Sequence, residues 1–350
     1  FKNNVLSFQL DAGNGRRLPV AQKVYRLDNR EFLPTNVGQV EEFTVHAIDQ
    51  TTLNDAMSLV SQSWTCKTPN NIVSQVLQEC CGAQNIDIQD CGPTRDYIAE
   101  NIHPFQVVNQ QTNVALDGND PSFVHYATYG AIDGTAWHHF RSLKYLASQP
   151  PVWNFKYGDT GTGGHGLTND KDNPAIGSYE NPEIAIAFKF PCDFDYLSDL
   201  LNGVENGQDM NTLSVFNPVN KSVSVLGNQS KGCGIGGFNY KQAVTNQGTE
   251  KDQGTGCKFD VEKYLLKRQA RMSLLERDKI ALRIVVPFNP ILHAGNVIGF
   301  QWANKEHITT PVYGSGTFLI SSMTHSVKLG GFSTTTLDCV ASSVGQGVAG

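Results

Sequence analysis

The sequence predicts a β-rich α+β fold with more than one domain, on three observations. Strand-like alternation occupies both ends of the chain, helical periodicity is concentrated between them, and 350 residues exceed what one ordinary small core organises. The densest local signals fall in Ile98–Leu146, which reads as helix, loop, hairpin, helix. Pro104 suits a first helical position, and Phe105, Val108, Thr112 and Ala115 follow along one face. After the polar break LDGNDPS come two aromatic runs, Phe123–Tyr129 and Ala136–Phe140. They are joined by a segment carrying Asp133-Gly134, which supplies the positive-φ residue of a tight turn. That hairpin is the expected flat partner of the helix.

Taken in order, Val5–Leu10, Leu18–Leu27 and Glu42–Ile48 read as strands of a small β domain. From Thr51 the apolar period lengthens, and Leu53, Ala56, Met57, Val60 and Trp64 fall on one helical face behind a cap at Asp49 or Thr51. Thr68 as cap and Pro69 at the first position open a second helix, which buries Ile72, Val73, Val76, Leu77 and Cys80 before Gly82 ends it. Residues 158–178 and 227–256 are rich in Gly, Asn and other polar residues; the first reads as a mobile loop, the second as an exposed excursion. Between them lie a strand at Glu183–Phe190 with alternating Ile184, Ile186 and Phe188, a short helix at Asp195–Leu201, and strands at Leu213–Phe216 and Ser222–Leu226. Asp260 caps a charged helix running to about Glu276, and Ile280–Val286, Asn296–Trp302, Gly316–Met323 and Thr334–Val340 close the chain as strands.

Composition excludes some functions. A net charge of −6 with no long basic run argues against sequence-independent nucleic-acid binding, which needs cations to displace counterions. No apolar run approaches the roughly 20 residues that span a bilayer, and residues 1–20 lack a secretory pattern. Cys66, Cys80, Cys81, Cys91, Cys192, Cys233, Cys257 and Cys339 form no C-x-x-C pair, and reduced, mostly buried thiols are expected.

Several motifs invite chemistry without specifying it. Gly161-Gly163-Gly166 and Gly232-Gly234-Gly237 match the dinucleotide glycine spacing, but neither opens a helix that would carry a pyrophosphate. His125, His138 and His139 converge in any hairpin, yet alternation puts His138 and His139 on opposite faces; packing or hydrogen-bonded core imidazole is the expectation over a metal site. Glu100, Asp117, Asp120 and Asp133 could supply a hydrolase carboxylate pair, or could simply form turns and caps. Lys263, Lys267, Arg268 and Arg271 make a positive helical stripe, ordinarily a solvated face. No catalytic residue, cofactor or metal is assigned.

The central unit resembles a known family. Its Pro-Phe helix start, small-apolar helix end, acidic break, aromatic strand and hairpin return HHFRSL are similar to the baseplate central hub protein of contractile-tailed (T-even-like) phages, most strongly over about 40–150 and more weakly from about 260 to 342. The resemblance implies two small antiparallel β-barrels of tail-tube type plus an α/β domain with helices and an aromatic hairpin. It suggests an N-terminal barrel at 1–64, a hub domain at 65–178, a second barrel at 179–230 and 277–343, and an insertion with the charged helix at 231–276. The family carries strands upstream of this start, so the first barrel is expected to be incomplete and an N-terminal piece cleaved or absent. The implied function is structural: a homotrimeric ring in the virion baseplate, assembled in the host cytoplasm. It would join tail-tube or tube-initiator proteins above to a trimeric spike below, passing DNA without specific binding and without membrane insertion. Interface candidates are Pro104, Phe105, His139, Phe140, Arg141, Lys267 and Arg271. A tail-associated cell-wall hydrolase and a carbohydrate- or receptor-binding module remain as alternatives.

Overall fold

The fold comes from a computed structural model that describes residues 4–11, 17–35, 38–130, 133–157, 176–178, 182–189, 212–217, 221–227, 242–246, 268, 281–302, 314–328 and 331–341. It is α+β and β-rich, and it divides into two compact units. Unit 1 is Phe1–Ala115 with Phe123–Arg141; unit 2 is Leu116–Ser122 with Ser142–Gly350.

Unit 1 begins with an antiparallel sheet of β1 (Val5–Asp11), β2 (Arg17–Thr35) and β3 (Gly38–Ile48) in that order. Leu18, Val20 and Val24 of β2 are buried. Helix α1 (Gln50–Met57) follows, and its cap is Asp49, whose carboxylate accepts the Thr51 N–H at 2.8 Å. The helix ends earlier than the periodicity suggests: Val60 and Trp64 lie on strand β4 (Val60–Lys67). A spacing of four keeps two residues on one side of a strand as well as of a helix. Here β6 (Arg95–Ile102) decides it by pairing Val60 with Ile102 and stacking Trp64 on Tyr97 at 5.6 Å. Met57 is left exposed.

Helix α2 (Pro69–Glu79) buries Ile72, Val73, Val76 and Leu77 as expected, and Gly82 beyond it takes φ +68°. Cys80 is only half-buried, whereas Cys81 is fully buried, and Thr68 flanks the helix without a side-chain capping bond. Helix α3 (Pro104–Thr112) turns Val107, Val108 and Gln111 inward. Together α2, α3 and the β4–β6 ribbon cover one face of a sheet ordered β5 (Asn85–Ile88), β8 (Ala136–Ser142), β7 (Phe123–Tyr129). Phe123 and Phe140 meet at 5.0 Å in that core, both fully buried.

In unit 2, α4 (Leu143–Ala147) is capped by Ser142, whose hydroxyl accepts the Tyr145 N–H at 3.1 Å. The main sheet has seven strands in the order β10 (Glu183–Ile184), β9 (Trp153–Tyr157), β16 (Val297–Trp302), β17 (Gly316–Ser326), β18 (Thr334–Val340), β15 (Ala281–Pro287), β11 (Ala187–Lys189). It is mixed rather than antiparallel throughout, because β9 runs parallel to both β16 and β10. Parallel neighbours need a long connection, and residues 158–182 supply one between β9 and β10. The two edge strands belong to one continuous segment. Ala185 N–H donates to Lys156 O at 2.9 Å on one edge, and Ile186 N–H donates to Val285 O at 2.8 Å on the other. The sheet is therefore curled until a single stretch of chain serves both edges. This switch of partner breaks the expected parity: Ala185 is buried, while Ile184 and Ile186 are exposed.

Phe155, Leu282, Ile284, Ile298, Phe300, Phe318 and Leu337 fill the curled interior. Gly177 passes so close to Trp153 that a Cβ there would lie 2.1 Å from the indole. Strands β12 (Thr212–Asn217) and β13 (Ser222–Gly227) form where strands are expected, and they pair antiparallel. They form a separate sheet with β14 (Gln242–Asn246), which lies in the stretch read as an excursion, and do not join the sheet of 281–340.

Candidate functional site

Polar groups concentrate on the two faces of the β5-β8-β7 sheet. On the inner face Thr51 Oγ1 donates to Asp49 Oδ1, His138 Nε2 lies 2.8 Å from Thr51 Oγ1, and His125 Nε2 lies 3.1 Å from His138 Nδ1. The proton order follows from the ends. A carboxylate only accepts, so the Thr51 hydroxyl proton is committed to Asp49 and its oxygen accepts from His138 Nε2–H. The bare His138 Nδ1 then accepts from His125 Nε2–H. Both rings are neutral in this arrangement. Burial, with His138 and His139 nearby, pushes the His125 imidazole down to about 3; burial also lowers His138, although Asp49 pulls it back up. The two imidazoles stack at 5.3 Å, and Phe105 closes over them at 5.4 and 5.7 Å.

The outer face is ionic. His139 donates Nδ1–H to Asp87 Oδ2 at 2.9 Å, its Nε2 meets Thr128 Oγ1 at 2.8 Å, and Arg141 pairs with both oxygens of Asp87. Burial alone would raise the Asp87 carboxyl, but the bonds from Arg141 and His139 hold it below the usual range. Tyr126 stacks on His139 at 4.8 Å. His138 and His139 thus lie on opposite faces, as alternation requires. Among the described residues no group of three or more His, Cys, Asp and Glu side chains is placed to hold a metal.

The interface candidates in unit 1 occupy structural positions. Pro104 is buried at the start of α3, Phe105 donates its N–H to Asp55 Oδ1 at 2.7 Å, Phe140 is fully buried, and His139 and Arg141 share Asp87. Lys267 and Arg271 lie outside the described residues, as do the two glycine motifs and nearly all of the charged helix. Of the basic stripe only Arg268 is described, and it donates to Pro121 O at 3.1 Å.

The carboxylates considered for hydrolysis do local work. Asp117 accepts from Ser142 Oγ at 2.8 Å and exchanges backbone bonds with Asp120; Asp133 accepts from Thr135 N–H at 3.0 Å and its hydroxyl at 2.7 Å; Glu100 is exposed on β6. Among the described residues cysteine use departs from expectation at Cys66, which is disulfide-bonded; Cys80, Cys81, Cys91 and Cys339 are thiols. Burial pushes the Cys81 and Cys91 thiols up to about 12, which leaves them inert as nucleophiles. Sequence reasoning missed the partner of His138. Thr51 is 87 residues away, and only the sheet-to-helix packing brings it there.

No family model matches the sequence, and no curated protein is similar to it. Solved structures match in fold. A tail protein from Neisseria meningitidis MC58 aligns with a TM-score of 0.51 at 10% identity, covering 94% of this chain and 82% of that one. The 43 kDa tail protein of prophage MuSo2 from Shewanella oneidensis aligns at 0.45 and 10% identity, over 95% of this chain and 80% of its own. An Escherichia coli component of the type VI secretion system, described as structurally similar to T4 bacteriophage tail proteins, aligns at 0.48 and 11% identity, over 96% and 63%. The likeness to the meningococcal protein is one of fold.

Proposed function

We propose that this protein is a structural component of a phage-type tail baseplate, a hub whose copies close into a trimeric ring between the tail tube and the spike. The observation that carries this reading is the fold likeness to a tail protein, which extends over 94% of the chain. Unit 1 adds a physical reason for association. Strand β1 is the edge of its sheet, with β2 as its one strand neighbour among the described residues. Val5, Leu6 and Phe8 on it are exposed, and so are Tyr25 and Leu27 on β2. An exposed edge bearing apolar side chains is a template for another strand unless something covers it. A closed ring covers every such edge by placing each on a neighbour, and a head-to-tail contact that closes repeats one kind of interface, which joins two different patches of each copy. The net charge of −6 suits a lumen that passes DNA without retaining it.

In this reading the curled seven-stranded sheet of unit 2 is one tube-type barrel, and the β1-β2-β3 sheet is part of another. The positive stripe with Lys267 and Arg271 meets an acidic neighbour in the baseplate. Replacing Leu6 and Phe8 with Lys leaves the monomer folded, since both side chains are already solvent-exposed, and abolishes the ring in negative-stain electron microscopy. Rings that survive this substitution remove β1 from the interface. Release of reducing sugar or peptide from purified cell wall by the isolated chain would instead favour a hydrolase.

A further inference from the structure

We propose that the Asp49–Thr51–His138–His125 series is a proton-sensitive latch: near neutral pH it ties the β7–β8 hairpin to the start of α1, and acid releases it. The inference rests on the geometry of the series and goes beyond the baseplate reading. Each hydrogen in it is used once, and its direction is set by a single carboxylate. A proton added to His138 Nδ1 either puts two N–H groups face to face across 3.1 Å or shifts the His125 hydrogen to Nδ1, and in both cases leaves a buried imidazolium. A proton added to His125 Nδ1 would create a buried cation beside the Phe105 ring, with no carboxylate bonded to it among the described residues. The series ends on Asp49, whose Oδ2 is buried without a hydrogen-bond partner. On either ring an extra proton is therefore held at a cost that the opened hairpin does not carry.

The other ionisable groups around the pair do not relieve this. Asp55 of α1 is engaged by the Phe105 N–H, and His103 at the start of α3 has its Nδ1 at 3.0 Å from both Asp55 O and Ser58 O. Cys81 after α2 is a high-pKa thiol, and the Tyr129 hydroxyl of β7 accepts from Gln22 at 2.7 Å. His139 of β8 points to the opposite face, with Asp87 and Arg141. Burial holds both latch imidazoles below their ordinary value, so the folded unit stays unprotonated in a range where an opened hairpin takes up protons. Opening is then drawn by acid in steps of one or two protons.

The test is hydrogen exchange of peptides covering Phe123–Ser142 in the full chain, near pH 7.5 and near pH 5, corrected for intrinsic exchange chemistry. Each imidazole kept neutral lowers protection by about 30-fold over that interval, and the pair by up to about 1,000-fold. His125→Phe, which keeps a ring against Phe105, makes the fall about 30-fold smaller. His138→Gln, which keeps a donor for Thr51, reduces it as well and serves if the first variant does not fold. A wild-type fall no larger than that of either variant, or equal to the fall in the Trp153–Tyr157 and Val297–Trp302 peptides, overturns the latch.

Discussion

The β5-β8-β7 sheet of unit 1 and the curled sheet of unit 2 differ in how they hide an apolar face. The first has helices laid over it and is pinned by polar links that reach far in sequence: His138 to Thr51 on one side, Arg141 and His139 to Asp87 on the other. The second covers itself, because Glu183–Lys189 bridges its two edges and leaves an interior of Phe155, Phe300, Phe318 and aliphatic side chains. In a sheet buried on one face a one-residue slip turns every core side chain outward, so burial already selects the register, and directional bonds sharpen the alignment. A sheet closed on itself has its register set by closure. The polar groups of unit 1 add to that alignment, which gives the histidines, threonines and aspartates of its two faces a structural role.

Four measurements, the costliest substitutions first, probe that contrast. Phe140→Ala and Phe300→Ala remove fully buried rings from the two cores, and each destabilises its own unit by about 3–5 kcal/mol in denaturant titration read by peptide-resolved hydrogen exchange. A much smaller loss for Phe300 would mean the curled interior is not packed through. Ile186→Pro removes the N–H that donates to Val285 O and costs about 1–3 kcal/mol, whereas Ile186→Thr, at an exposed side chain, changes stability by less than about 0.5 kcal/mol. Equal effects of the two would detach closure from stability. Gly177→Ala costs about 1–3 kcal/mol, because φ is +87° and the new Cβ meets the Trp153 indole; circular dichroism melting checks it.

Asp87→Asn has the smallest effect, about 1 kcal/mol, since its ion pair is partly solvent-screened. Its signature is in the pH dependence. The folded Asp87 carboxyl lies below its unfolded value, so its contribution is present above the ordinary carboxylate range and is lost as pH falls through the depressed value. The histidine latch acts in the window above that, from the ordinary imidazole value downward. A stability profile in which Asp87→Asn alters the near-neutral limb rather than the acid limb would contradict this division.

Much of the fold was legible because it is local. Thr68-Pro69 and Pro104 mark helix starts by the conformation proline imposes, and Asp133-Gly134 marks the hairpin, where Gly134 takes φ +74°. What could not be read is what depends on distant pairing. Val60 and Trp64 fit helix and strand alike until β6 is present. β9 needs β16, more than 140 residues on, to become a strand. Ala185 inverts the alternation of its segment because its two ends bond to different neighbours. The histidine cluster was visible as a cluster, but its meaning lay with Asp49 and Thr51, which carry no local sign of their partner.

As proposed, this protein works by geometry, as one member of a closed ring. Native mass spectrometry of the purified chain, paired with negative-stain imaging of the same sample, decides the matter. A species of three 38.3 kDa chains with threefold symmetry and an open centre is expected. A particle that stays at one chain across the accessible concentration range, with and without a tail-tube protein and a spike, would contradict it.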